Sequence, residues 1–201
     1  MSVLPIYIFG NKLLRKKAEV LKELNDQTIR LIVDMFETMH NARGIGLAAN
    51  QVGELKRIVT IDISALDEPN AENEREDEAH PTSPDLPRVI TLINPEVLSE
   101  EGKWTMEEGC LSIPDVHGHV ERAEKIRVKF RDTEFKEQEL LMDGLLARVV
   151  LHEIDHLDGI LFVDRMKKSE AKKISAKLKA ISNGDIEVDY PVVNADEEVI
   201  A

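Results

Sequence analysis

The run His152-Glu153-Ile154-Asp155-His156 constrains this chain more than any other stretch. On a helix, residues four apart stack one turn above the other, so both imidazoles can face a single metal ion while Glu153 lies beside it. A helix is predicted independently, because Leu145, Leu146, Val149, Val150 and Leu157 recur on one apolar face that includes both histidines. Asp143 stands where an N-cap is needed, and Gly159 supplies the stop. Taken alone, three fixed letters also occur by chance, and two core histidines satisfied by neighbours are the alternative.

Two histidines leave a tetrahedral catalytic site one protein ligand short, since such sites use three and keep the fourth position for water. A third histidine at position 162 would complete one protease pattern; Gly159 fits it, but residue 162 is Phe. Glu170 is the nearest downstream carboxylate and sits in a lysine-rich polar segment, which disfavours it. The remaining soft donor is Cys110, in Glu107-Glu108-Gly109-Cys110-Leu111-Ser112-Ile113-Pro114. On its own, a lone cysteine reads more readily as a small buried hydrophobe than as a ligand. As the single cysteine, it excludes an internal disulfide framework.

A length of 201 residues suits one domain with a full core, expected over 1–182. No apolar run approaches the roughly 20 residues of a membrane span, and Met-Ser-Val-Leu-Pro lacks the basic-then-apolar pattern of a signal peptide, so a cytoplasmic protein without a membrane partner is expected. The net charge of −13 does not describe the site. Residues 64–87 contribute −7 and residues 183–201 contribute −6, which accounts for all of it and leaves the remainder neutral. The first segment reads as an acidic loop insertion and the second as an acidic tail. No DNA partner is expected.

Along the chain, residues 4–20 read as an irregular start, followed by a helix from Gln27 to Ala42 capped by Asn25 or Asp26, with His40 near its end. The small residues of Gly44-Ile45-Gly46-Leu47-Ala48-Ala49-Asn50-Gln51 imply a backbone that passes close to something, or an ordinary helix-to-strand turn. Strands are predicted at Leu55–Ile63, Arg88–Ile93, Pro95–Leu98 after a break, Gly102–Met106, and in a hairpin of Lys125–Phe130 with Glu137–Met142. Residues 160–163 read as extended and Ser169–Ile181 as a helix. The class is α+β: short antiparallel or mixed strands packed around a central metal-binding helix, with an N-terminal and a C-terminal helix.

Three of these stretches, Gly-Ile-Gly-Leu-Ala-Ala-Asn-Gln, Glu-Gly-Cys-Leu-Ser and His-Glu-Ile-Asp-His in that order, together resemble the three signature motifs of the peptide deformylases. The resemblance runs from the first helix to about Val163. It implies Cys110, His152 and His156 as metal ligands, and Glu153 and Gln51 as catalytic residues. The implied reaction is removal of the formyl group from the N-terminal formylmethionine of newly made polypeptides, with release of formate. It also points to ferrous iron as the ion, with zinc, nickel or cobalt able to substitute.

These roles fit the chemistry. A divalent ion lowers the pKa of bound water from 15.7 to roughly 7, and Glu153 can accept that proton and deliver it to the leaving amine. The Gln51 amide and the Leu111 N–H are the implied donors to the developing oxyanion. Gly44 and Gly46 let the backbone approach the substrate as a strand would, while Ile45, Leu145 and Val149 are candidates for the methionine pocket. The chain departs from the family pattern at His117, where many members have arginine, although Arg122 keeps a second arginine. The basic span 165–179, with seven basic residues and one acid, suggests docking to ribosomal RNA, a solvated helix face being the alternative. The competing functions are a general zinc peptidase of H-E-x-x-H type and an inactive homologue that holds nascent chains.

Overall fold

The computed structural model describes residues 2–66 and 82–195. Most of the predicted acidic loop, 67–81, and the last residues of the predicted tail, 196–201, lie outside the described residues.

The site rests on a five-stranded antiparallel sheet clamped between two helices. Its strands are β2 (Gly46–Ala48), β3 (Ile58–Asp62), β4 (Val89–Glu101), β7 (Lys125–Arg131) and β8 (Glu137–Asp143), in that spatial order. Helix α1 (Asp26–Asn41) packs Ile32, Met35 and Met39 against Leu47, Ile58 and Ile93 on one face. Helix α2 (Gly144–Leu157) packs Leu146, Val150 and Ile154 against Val59, Ile61 and Leu92 on the other. Covering both faces is what gives β3 its continuous apolar run Ile-Val-Thr-Ile, where a half-exposed strand would alternate.

The two strands predicted either side of a break at Asn94 are one strand, β4, bent by an irregularity between Ile93 and Glu96. Asn94 takes a left-handed φ of 52° there, its side chain tied to the Leu21 N–H and C=O at 2.8 Å each. Beyond β4 the chain forms a second hairpin, β5 (Trp104–Cys110) with β6 (Ile113–Arg122), which carries the cysteine at its turn.

Helix α2 is buried on nearly every side, Leu145 being its one half-exposed residue. Asp143 occupies the N-cap position, but its side chain accepts from the Ser83 N–H (2.8 Å) and hydroxyl instead of capping. The Leu146 N–H is met by the Thr82 hydroxyl at 3.0 Å, so the loop before β4 caps the helix. Gly159 ends it with φ 74°, and a Cβ there would lie 2.6 Å from the Arg15 carbonyl oxygen.

Three predictions are corrected. Residues 160–163 are not extended throughout: Phe162–Arg165 forms the short helix α3, because Asp164 returns to accept from the Leu161 N–H at 2.8 Å. Helix α4 (Lys168–Ser182) follows it. The irregular start contains β1 (Ile6–Tyr7), which pairs in parallel with β9 (Val192–Val193). The segment beginning at 183 is therefore no peripheral tail over its described part, and the domain does not stop at 182. Ile186, Val192 and Val193 pack into the core beside Phe162 and Ile181, an apolar attraction that outweighs the acids on either side of Ile186. Among the described residues, no helix is long and apolar enough to cross a membrane.

Candidate metal centre and substrate groove

Two elements far apart in sequence supply the candidate ligands. His152 and His156 lie one turn apart on α2, and Cys110 ends β5 at the hairpin turn. Their ligand atoms lie within 4.8 Å of one another, with Cys110 Sγ 3.1 Å from His156 Nε2. A borderline-soft divalent ion with metal–sulfur and metal–nitrogen bonds of roughly 2.0–2.3 Å suits one thiolate and two imidazoles at such separations. Both rings are buried, where two imidazoles and a thiol with no shared cation would have little reason to converge.

Glu108 fixes the first ring. Its Oε2 is 2.9 Å from His152 Nδ1, which leaves Nε2 as the ring's ligand atom. Glu108 also accepts from Arg122 at Nε (2.6 Å) and at its second guanidinium nitrogen (2.9 Å), and from Arg148 at 2.6 Å. Burial pushes this carboxyl up, but the hydrogen bonds from His152 and Arg122 and the Arg122 charge outweigh burial and hold it well below the usual carboxylate range. Arg122 reaches on to Asp155 at 2.7 Å, and Arg165 closes on the same carboxylate. Arg148 lies over the Trp104 ring, 4.5 Å from its centroid. Arg122 is thus committed to the scaffold and does not reach the groove, because β6 buries Val116, Gly118, Val120 and Arg122 on its inner face. His117 points outward and lines the groove.

Glu153 is 4% exposed and has an Oε2 atom with no partner among the described residues. Burial pushes its carboxyl up to about 7. Gln51 is oriented at both ends of its amide: Oε1 accepts from the Ala48 N–H at 2.8 Å, and Nε2 lies 3.1 Å from Ser112 Oγ and 3.6 Å from Cys110 Sγ. The Leu111 N–H follows directly on the cysteine in the turn.

A groove of about 920 Å³ opens over this cluster, and Gly44, Ile45, Gly46, Leu145 and Val149 all line it. Strand β2 is an edge strand of the large sheet. Asp62 N–H donates to the Ile45 carbonyl at 3.0 Å, which makes Gly46 and Ile61 a non-hydrogen-bonded pair. The Gly46 N–H and C=O therefore face the outer edge. Gly46 is also where the strand comes nearest α2: a Cβ there would lie 2.5 Å from Glu153 Oε1 and 2.8 Å from a Val149 methyl.

The sequence motifs give no role to Glu108, Arg148, Asp155, Ser112 or Tyr190. Arg148 and Asp155 were detectable as charges interrupting the apolar faces of α2; Tyr190, whose segment forms part of the groove wall, offered no local signal.

The statistical model of the polypeptide deformylase family matches residues 3–172. A protein of Salinibacter ruber named peptide deformylase is 43% identical over 199 residues, covering 98% of each chain. One of Pelodictyon phaeoclathratiforme with the same name is 45% identical over 199 residues, covering 99% of this chain and 98% of its own. Among solved structures, a peptide deformylase from Legionella pneumophila superposes with a TM-score of 0.75 at 35% identity, covering 92% of this chain and 98% of that one. One from Synechococcus elongatus, solved in complex with actinonin, gives 0.71 at 36% identity, with coverages of 94% and 92%.

Proposed function

The chain belongs to the polypeptide deformylase family, and on that premise we propose that it removes the formyl group from the N-terminal formylmethionine of newly made polypeptides and releases formate, with Cys110, His152 and His156 holding one divalent ion. The observation that carries this reading is the convergence of those three ligand atoms beside a groove that Cys110, His152, Glu153 and Gln51 line. When bound, the ion supplies Lewis acidity that brings the pKa of a coordinated water near neutrality.

The chain's own residues do the rest. Glu153 takes a proton from the attacking water at its carboxylate and returns it to the amine nitrogen as the C–N bond breaks; its place near 7 suits both transfers at neutral pH. Gln51 Nε2 and the Leu111 N–H donate to the formyl oxygen as it becomes anionic, one such donor being worth about 3 kcal/mol. The substrate lies along the outer edge of β2 as an added strand, pairing with Gly46, while Ile45, Leu145 and Val149 receive the methionine side chain. The ion is ferrous iron in the cell, replaceable by zinc, nickel or cobalt, and the enzyme works in the cytoplasm, where formylated chains are made.

The exposed lysines of α4, Lys168, Lys172, Lys173, Lys177 and Lys179, suit docking to ribosomal RNA. Arg165 does not belong to that face, since it is engaged by Asp155. Salt-sensitive cosedimentation with ribosomes tests this, and its absence at low salt removes it.

The function itself is tested by formate release from formyl-Met-Ala alongside metal analysis of anaerobically purified protein. Release in proportion to metal, with the iron or nickel form outpacing the zinc form, is expected. Cleavage of unformylated peptides without formate would favour a general zinc peptidase, and a metal-loaded but inert protein would favour a chain-binding homologue. Neither alternative draws support from the relatives, which are named peptide deformylases.

A further inference from the structure

The turn that carries Cys110 and Leu111 is held from outside its own hairpin. Cys110 and Ile113 pair across it, leaving Leu111 and Ser112 as its two central residues. Carbonyls of central turn residues have no partner within the ladder and need one elsewhere. Here the two chain ends provide both. The Phe9 N–H donates to the Ser112 carbonyl at 2.8 Å, and the Tyr190 hydroxyl donates to the Leu111 carbonyl at 2.8 Å. Those two donors sit on segments that pair with each other, with Ile6 N–H on the Pro191 carbonyl at 2.8 Å and Ile8 N–H on the Val193 carbonyl at 3.1 Å. Asn11 Nδ2 adds a bond to the Asn194 carbonyl at 3.0 Å, and Asp189 pairs with Arg43 beside the groove at 2.7 Å.

We propose that the paired chain ends form a clamp on the Cys110–Ile113 turn, and that Tyr190, a residue beyond the stretch matched by the family model, is a positioning residue for the Leu111 N–H. Leu111 carries the N–H read as an oxyanion donor and a C=O that the Tyr190 hydroxyl holds, so the hydroxyl limits how far that segment can rotate. The phenol stays protonated for this purpose, burial pushing its pKa up to about 12. Its contribution to turnover rests on the reading of Leu111 as an oxyanion donor, whereas the clamp itself does not.

Tyr190→Phe removes one hydroxyl and leaves the ring. Expected are a fall of about tenfold in kcat for formyl-Met-Ala, since small misplacements of catalytic groups cost up to about 10²-fold, with KM and metal content changed by less than about twofold. Binding of the product Met-Ala, which lacks the formyl oxygen, should also change by less than about twofold; a general collapse of the groove wall would weaken it. Amide exchange across residues 110–113 should accelerate about tenfold without activity entering the measurement. If wild type releases formate and the variant matches it in kcat, or the variant loses metal or product affinity in step with kcat, the positioning role is overturned. If wild type releases no formate, the deformylase reading fails, and unchanged exchange at 110–113 would separately overturn the clamp.

Discussion

Replacing Gly46 by alanine tests the link between the edge strand and the proposed base without touching a metal ligand. The backbone at Gly46 is ordinary strand, so the substitution carries no conformational penalty of its own. The added methyl, however, would stand 2.5 Å from Glu153 Oε1 and 2.8 Å from a Val149 methyl, against a practical minimum of 3.0 Å. The carboxylate must therefore retreat by about half an ångström, into surroundings that leave it 4% exposed. A misplacement of about 1 Å can cost 10²-fold and loss of a general base 10²–10⁴-fold. A fall of roughly 10- to 100-fold in kcat/KM follows.

Stability should suffer less. Overpacking costs about 1–3 kcal/mol, and relief of the entropy glycine loses in a strand returns about 0.5–1 kcal/mol. At about 2–4 °C per kcal/mol for a chain of this size, the melting point falls by up to about 10 °C. Formate-release kinetics, metal content and a thermal melt on the same preparation give all three quantities. A variant with full metal and kcat/KM within about threefold of wild type would refute the idea that Gly46 is small because Glu153 stands behind it.

Glu153→Gln keeps the volume and removes the proton acceptor; kcat/KM should drop about 10²–10⁴-fold with the metal retained, as metal analysis and formate release would show. Glu108→Ala leaves Arg122, Arg148 and His152 Nδ1 facing a buried void, which should destabilise the fold by about 3–5 kcal/mol in denaturant unfolding. It should also weaken metal affinity about 10- to 100-fold in chelator competition, because His152 loses its orienting partner. Stripping the ion with a chelator should abolish formate release and lower the melting point, and restoring a divalent ion should recover both. A melting point indifferent to metal would count against Cys110, His152 and His156 as its ligands.

What could be read from the chain were features set by local spacing. The stacking of His152 on His156 follows from helical geometry, the α1 start from a cap at Asn25 or Asp26, of which Asn25 is the one used, and the β7–β8 hairpin from alternation; in each the residues that decide the outcome are neighbours in sequence. Alternation also runs through Val116, Gly118, Val120 and Arg122 in β6 but gives no strand signal by itself, because glycine and arginine do not look like core residues until Glu108 and Asp155 stand opposite them. The site divides in the same way. The resemblance of three ordered motifs to the peptide deformylases put Cys110, His152, His156, Gln51 and Glu153 forward as a set. That the thiol reaches the imidazoles, that Glu108 turns His152, and that both chain ends grip the Cys110–Ile113 turn were decided by packing between segments about 40 to 100 residues apart. Spacing fixes which face of its own element a side chain occupies; the partner that gives a buried charge or an outward carbonyl its purpose comes from elsewhere in the chain, and only the folded molecule brings it there.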